Sequence, residues 1–236
     1  MTDYADLERI LTSSLHLTRR PVAIAFRDRA PDGVGRLQGA QPSGCSFWSL
    51  AASGATFYTE PADHYNCPIG SYTHNIPLPP DREHELMDTL GLMEQLGYIR
   101  MEEVPSVPRL PETPAVTIYA PLGDTPLDPD VVVVTGKPGG LMLLHESGLR
   151  LGRASLPMLG RPTCMAVPAA LSHGLASSLG CIGNRVYTAM ADDEFYTMVK
   201  GADLESLTLE IGTITNANAT LADYHRERRT ALASSP

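Results

Sequence analysis

The residues of this chain with the most specific chemistry are four cysteines: Cys45, Cys67, Cys164 and Cys181. Deprotonated cysteine sulfur is a nucleophile and also a soft metal ligand, suited to iron–sulfur clusters, zinc or copper(I). None of the four forms the close pair that is typical of zinc fingers and bacterial ferredoxins. The spacing therefore identifies no metal, and it leaves open whether the four thiols meet in the folded chain.

The neighbours of these cysteines are more informative than their spacing. Gly44 precedes Cys45, the second cysteine lies in Cys67-Pro68-Ile69-Gly70, and the fourth lies in Gly180-Cys181-Ile182-Gly183. Glycine lets backbone N–H groups approach a thiolate, and a proline next to a ligand cysteine recurs in iron–sulfur sites. Our first hypothesis is that all four cysteines bind one metal centre, an iron–sulfur cluster, with zinc or no metal as alternatives. A structural role is the competing interpretation for each one, above all for Cys164, because unpaired cysteine is often buried.

Two histidines near Cys67, His64 and His74, support a second hypothesis. A neighbouring imidazole can activate a thiol, so Cys67 or Cys181 could act as a nucleophile with His64 or His74 as the base. Arg185 would then bind a small anionic substrate. The same histidines also allow a mixed Cys/His metal site. Whether the protein is an enzyme stays open at this point.

A third hypothesis places a small ligand, such as a tetrapyrrole, in an apolar pocket near Trp48. Phe47, Trp48, Phe57 and Tyr58 follow the first cysteine in the sequence, and aromatic side chains often line ligand pockets. The cysteines would then be structural.

Composition limits the setting of this chemistry. A chain of 236 residues fits a single domain, 1–236, and its formal net charge of −9 argues against nucleic acid as a partner. No apolar run is long enough to span a bilayer, and residues 1–11 are too polar and acidic for a secretory signal. We therefore expect a cytoplasmic protein without membrane contact, whose thiols stay reduced. The expected partner is a redox protein or a larger metabolic enzyme, and a homo-oligomer is also consistent with the sequence.

Hydrophobic periodicity predicts an α+β fold, a mixed sheet with flanking helices. Strands are expected at 21–26, 55–59, 115–119, 131–135, 185–189 and 194–199. Helices are expected at 4–17, 45–52, 81–97, 140–146, 168–175, 204–211 and 217–232. The segment 60–80 is dense in turn-forming residues and is expected to be a functional loop.

The two halves of the chain show a faint similarity. Each has a strand, then a cysteine followed by small residues, then a second cysteine followed closely by glycine. A pseudo-duplicated fold would bring equivalent cysteines together around an internal axis.

Several cysteine-bearing motifs resemble those of one family. They are Gly44-Cys45-Ser46-Phe47-Trp48, Tyr58 through Cys67-Pro68-Ile69-Gly70, Arg161-Pro162-Thr163-Cys164, and Gly180-Cys181-Ile182-Gly183-Asn184-Arg185 with Asp192-Asp193-Glu194. The chain is similar, from about Leu17 to its last helix, to the domain of unknown function 169 family, an archaeal conserved region. The resemblance implies one domain and a prokaryotic source, with the cysteine segments as family landmarks. It implies no substrate.

Overall fold

A computed structural model, which describes residues 2–153 and 160–233, builds the fold around one six-stranded sheet. The strands of the described residues are β1 (Val22–Arg27), β2 (Phe57–Thr59), β3 (Val116–Pro121), β4 (Val131–Gly136), β5 (Leu175–Ser178) and β6 (Phe195–Lys200). Their order in the sheet is β2-β3-β1-β4-β6-β5, and every pairing of neighbouring strands is antiparallel. A single parallel bridge joins Arg36 to Tyr58. The α+β prediction is confirmed.

Helices surround this sheet. They are α1 (Tyr4–Leu15), α2 (Gly44–Ala52), α3 (Pro68–Thr73), α4 (Pro80–Gln95), α5 (Pro138–Arg150), α6 (Ala166–His173), α7 (Ile182–Thr188) and α8 (Leu204–Ala233). Side chains at the chain positions before α1 and α2 cap their first turns: Asp3 accepts from the Asp6 N–H, and Ser43 accepts from the Ser46 N–H. No helix of the described residues is long and apolar enough to cross a membrane.

The two faces of the sheet carry different layers. Side chains of successive residues in a strand point to opposite faces of the sheet. Tyr196 and Thr197 on β6 are neighbours of this kind, and their contacts show what covers each face. The Thr197 hydroxyl lies 3.1 Å from Nε2 of His145 on α5, so this face packs against α5 and, behind it, α1 and α8. Tyr196 points the other way and packs edge-to-face on Trp48 of α2. The second face therefore supports the cysteine-bearing segments.

The two halves of the fold repeat one topology. The first runs β1-α2-β2-α3-β3 and the second runs β4-α6-β5-α7-β6, with α4 and α5 as additional helices. The sheet order is symmetrical about the central β1–β4 pair, in which Ala23 lies opposite Val132. An approximate two-fold axis through this pair exchanges the halves. The pseudo-duplicated fold expected from the sequence is thus present in the topology.

Four elements differ from the sequence-based predictions. The segment 60–80 was expected to be a loop, but it contains the helix α3. Residues 185–189 were expected to be a strand, but they belong to α7 and its C-terminal end, whose apolar Val186 and Tyr187 side chains are exposed rather than buried in a sheet. The two helices expected at the C-terminus are one continuous helix, α8. Strand β5 was not predicted, because the sequence Leu-Ala-Ser-Ser offers neither β-branched residues nor an alternating pattern.

Candidate functional site

All four cysteines lie at or near the start of a helix on the same face of the sheet. Cys45 is in the first turn of α2, Cys67 immediately precedes α3, and Cys181 immediately precedes α7. Cys164 lies in the short 3-10 helix Thr163–Met165 that leads into α6. The start of a helix carries partial positive charge from its unpaired N–H groups, which favours a nearby thiolate.

The approximate two-fold symmetry relates the cysteines in two pairs. Cys45 and Cys164 introduce the first helix of each half, and both are buried. Cys67 and Cys181 introduce the second helix of each half, and both are partly exposed. The site therefore has an inner pair of thiols and an outer pair through which it reaches the surface.

The segments that carry the four cysteines contact one another on this face of the sheet. Helix α2 contacts both α7 and the 3-10 helix that bears Cys164, and that 3-10 helix also contacts α3. The Cys181 N–H donates to the Thr163 hydroxyl at 2.6 Å, which joins two of the cysteine segments directly. Burial raises the pKa of Cys45, and charge on each of the other three cysteines raises it further.

Burial is the main influence on the protonation of these thiols. It raises the pKa of Cys45, Cys67 and Cys164, and repulsion between the thiolates adds to the effect. Without a bound cation, these three thiols are protonated and neutral at pH 7. A cation that replaced the protons would remove the repulsion, so the arrangement favours the uptake of positive charge.

Hydrogen-bond donors already surround the sulfur atoms. The backbone N–H groups of Gly44 and Gly70 lower the pKa of Cys67, and a Cβ at Gly70 would lie 2.9 Å from its Sγ. The side chains of Asn184 and Thr73 likewise lower the pKa of Cys45 and Cys164. Such donors lower the pKa of a thiol because they stabilise its thiolate, and they are typical of the surroundings of metal-bound sulfur.

Sequence reasoning missed Thr73 and Asn184. Both are fully or almost fully buried, and the Asn184 amide also donates to the Tyr196 hydroxyl at 3.1 Å. Among the described residues, no hydrogen-bond partner reaches Asn184 Oδ1. The position of Asn184, three residues after Cys181 and matching Gly70 three residues after Cys67, is the one signal in the sequence that could have indicated it.

The histidines are placed differently from the expectation of a catalytic base. Burial lowers the pKa of His64 to about 3 and that of His74 to about 4. His64 Nε2 lies 2.9 Å from the Thr59 hydroxyl, and His74 Nδ1 lies 3.0 Å from the Gly70 carbonyl. These bonds direct the imidazoles to Thr59 and Gly70 rather than to Cys67, whose own pKa is raised. These contacts do not indicate activation of Cys67 by either histidine.

One histidine atom keeps the mixed Cys/His alternative open. His74 Nε2 is buried, and no described residue gives it a hydrogen-bond partner. When Nδ1 donates to the Gly70 carbonyl, Nε2 carries a free lone pair, which is the tautomer that metal-binding histidines use.

The guanidinium of Arg185 is hydrogen-bonded to the protein backbone. Its guanidinium donates to the carbonyls of Leu179, Ala191 and Glu194 at 2.5, 2.9 and 3.2 Å. These bonds tie the loop before α7 to the turn after it, and they use donors that an anionic substrate would need. Arg185 therefore positions the segment that carries Cys181.

Trp48 does not line an open pocket. It is 3% exposed and its ring centroid lies 5.5 Å from that of Tyr196. Phe47, beside it in α2, packs on Tyr119 of β3. These aromatic side chains belong to the hydrophobic core below the cysteines.

Among the described residues, no group of three or more His, Cys, Asp or Glu side chains is arranged to hold a single metal ion.

These features define a class: an α+β protein whose two topologically similar halves each carry two cysteines at or near the start of a helix. The chain belongs to the DUF169 family, described as uncharacterised ArCR, which matches residues 10–208. This confirms the family resemblance. No match was found among curated proteins or among solved structures.

Proposed function

We propose that Cys45, Cys67, Cys164 and Cys181 together bind an iron–sulfur cluster and that the protein acts in electron transfer or cofactor handling. The observation that carries the proposal is the convergence of one cysteine pair from each half of a two-fold-related fold. A cluster with four thiolate ligands fits such an arrangement, because each half of the chain supplies two equivalent ligands.

The charge balance supports a cluster over four free thiols. Burial, and after it repulsion from neighbouring cysteines, raises the pKa of Cys45 and Cys164, so thiolates at these positions are costly without a cation. Iron cations offset the repulsion, and donors at Gly44, Gly70, Thr73 and Asn184 offset the remaining negative charge. Hydrogen bonds of this kind also tune the reduction potential of a cluster.

The outer cysteine pair indicates where a redox partner would approach. Cys181 directly precedes α7, whose Ile182 and Val186 side chains are 64% and 69% exposed. Leu179 and Tyr187 extend the same apolar surface. Exposed apolar patches of this kind mark interaction sites, and transient redox encounters use small ones. A partner seated on α7 would lie one helical turn from a cluster ligand.

The first experiment is anaerobic purification with measurement of iron, acid-labile sulfide, zinc and visible absorption. We expect brown protein with iron and sulfide in equal amounts, and loss of both in each single Cys→Ser variant. Thr208→Val is the matched control, since Thr208 is buried in α8 and bonds only to its own helix in the described contacts. Colourless protein without iron after reconstitution would refute the proposal.

Three measurements separate the cluster from a mixed Cys/His site, a zinc site and a reactive thiol. Loss of the metal in His74→Gln as well as in the cysteine variants would favour the mixed Cys/His site. Stoichiometric zinc without sulfide would replace the cluster by a zinc site. A single thiol that alkylates far faster than the other three in metal-free protein would favour the nucleophile of the second hypothesis, although the raised pKa of Cys67 predicts the opposite.

A further inference from the structure

The last three turns of α8 extend beyond the body of the protein. The buried residues of this 30-residue helix all lie in its first eight positions: Leu204, Leu207, Thr208 and Ile211. Farther on, the Asn218 amide donates to Glu146 of α5, and every residue in 223–233 is exposed. These eleven residues span about 16 Å of helix. A helix of that length has little stability in water unless a partner packs against it.

One side of this extension is apolar. Leu221, Tyr224, Arg228, Ala231 and Leu232, here called the α8 stripe, recur at intervals of three and four residues and so share a helix face. Leu221, Tyr224 and Leu232 are 55%, 52% and 63% exposed, and a shallow cleft runs between Tyr224, Arg228 and Leu232. The spacing is that of a two-helix interface with a single charged residue in its centre.

We propose that the α8 stripe pairs with the α8 stripe of a second copy of this chain, in antiparallel orientation about a two-fold axis near residue 226. Leu221 then lies opposite Ala231 of the second copy, and Arg228 lies opposite its Tyr224. The guanidinium stacks on the aromatic face and is within reach of Glu227 of the second copy. Arg228 is the only charged residue of the stripe. In the dimer, Arg228 of each copy contacts Tyr224 and Glu227 of the other, so the same contact occurs twice, as a two-fold interface requires.

The charge of Arg228 favours the antiparallel orientation of the two helices over the parallel one. A parallel pair would place Arg228 against Arg228 and would also bring the two protein bodies to the same end of the helices. The antiparallel pair places the bodies at opposite ends. A membrane surface fits less well than a second copy, because Asp223 and Glu227 flank the stripe and the chain carries a net charge of −9.

The test is sedimentation equilibrium of the purified full chain from 1 to several hundred micromolar, at low salt. We expect reversible monomer–dimer association, weakened at least tenfold by Leu232→Glu or Arg228→Glu. Leu209→Glu is the matched control, since Leu209 is 66% exposed on the same helix but lies outside the stripe, and this variant should dimerise as the parent does. Circular dichroism should show helix loss on dilution of the parent protein.

Three results would overturn the inference. One is a monomer at every concentration with unchanged helix content, and another is a dimer that Leu232→Glu and Arg228→Glu leave intact. The third is binding of the α8 stripe to vesicles of phosphatidylcholine and phosphatidylglycerol in place of self-association. None of these measurements depends on the iron content of the protein, so the inference stands or fails separately from the proposed cluster.

Discussion

Replacement of Gly70 by alanine should displace the Cys67 thiolate while leaving the fold intact. Gly70 lies in α3, one turn after Cys67, and its backbone N–H lowers the pKa of the Cys67 thiol. An added Cβ would lie 2.9 Å from Sγ and 3.4 Å from Cβ of Cys67. Because an ordinary contact is about 3.5–4.0 Å, the sulfur must move by roughly 0.6–1.1 Å.

This displacement matters only if the sulfur holds a metal. A metal–thiolate bond is about 2.3 Å long and a functional site tolerates deviations of about 0.2 Å. The shift exceeds that tolerance and also disturbs the hydrogen bond from Gly70, so we expect metal affinity to fall about 10–100-fold. In the metal-free protein, the clash costs about 1–3 kcal/mol and the higher helix propensity of alanine returns about 1 kcal/mol. The free energy of unfolding should therefore decrease by no more than about 2 kcal/mol.

The assay pairs iron content after anaerobic reconstitution with urea unfolding of the metal-free protein. Gly91→Ala is the matched control, because Gly91 lies within α4 and an added Cβ there meets no atom within 4 Å. This control should gain about 0.5–1 kcal/mol in stability and retain all its iron. Full iron content in Gly70→Ala, with the parent absorption spectrum, would refute our placement of Cys67 as a ligand.

Two further predictions concern the surroundings of the site. Both buried histidines have lowered pKa values, about 3 for His64 and about 4 for His74, so the unfolded chain binds protons below pH 6.5 that the folded chain does not. Metal-free protein should therefore lose stability as the pH falls from about 6.5 to 4, by up to about 1.4 kcal/mol per pH unit for each histidine. Urea unfolding at pH 7 and pH 5 measures this, and an equal loss in His64→Gln would contradict the assignment. Thr73→Val removes a hydroxyl that lowers the pKa of Cys164 and should lower the reduction potential of a bound cluster by about 30–60 mV, a one-electron equivalent of about 1 kcal/mol. Protein-film voltammetry tests it against Thr208→Val, and an unchanged potential would show that this hydroxyl does not act on the cluster.

Strong local patterns made much of the fold predictable. The four valines of β4 form a buried strand because β-branched side chains suit a sheet covered on both faces, and both their neighbours, β1 and β6, were also expected. Helix α7 was mistaken for a strand because Val186 and Tyr187 suggested one, although their side chains are exposed. Tertiary context decided here: Arg185 binds three backbone carbonyls that fix the segment as a turn of helix.

The cysteines could be proposed as ligands from the sequence, but their surroundings could not. Thr73 and Asn184 reach the sulfur atoms only because α3 and α7 fold over the same face of the sheet. The raised pKa values of the thiols likewise depend on burial, which no short pattern reveals. Gly70 is the exception, since a glycine three residues after a cysteine predicts a close approach of backbone to sulfur.

The two-fold topology explains why the site has no recognisable cysteine spacing. In a zinc finger or a ferredoxin, neighbouring ligands come from one loop, and a short interval records the geometry. Here a supersecondary unit is used twice, so that each cysteine lies at or near the start of a different helix and the four are far apart in sequence. The regularity therefore lies in the fold rather than in a sequence interval. Each half carries one cysteine at or near the start of its first helix and one at the start of its second helix. Neither half alone presents more than two thiols, so a bound cluster would join the halves across the central β1–β4 pair and stabilise the two-fold arrangement that creates its site.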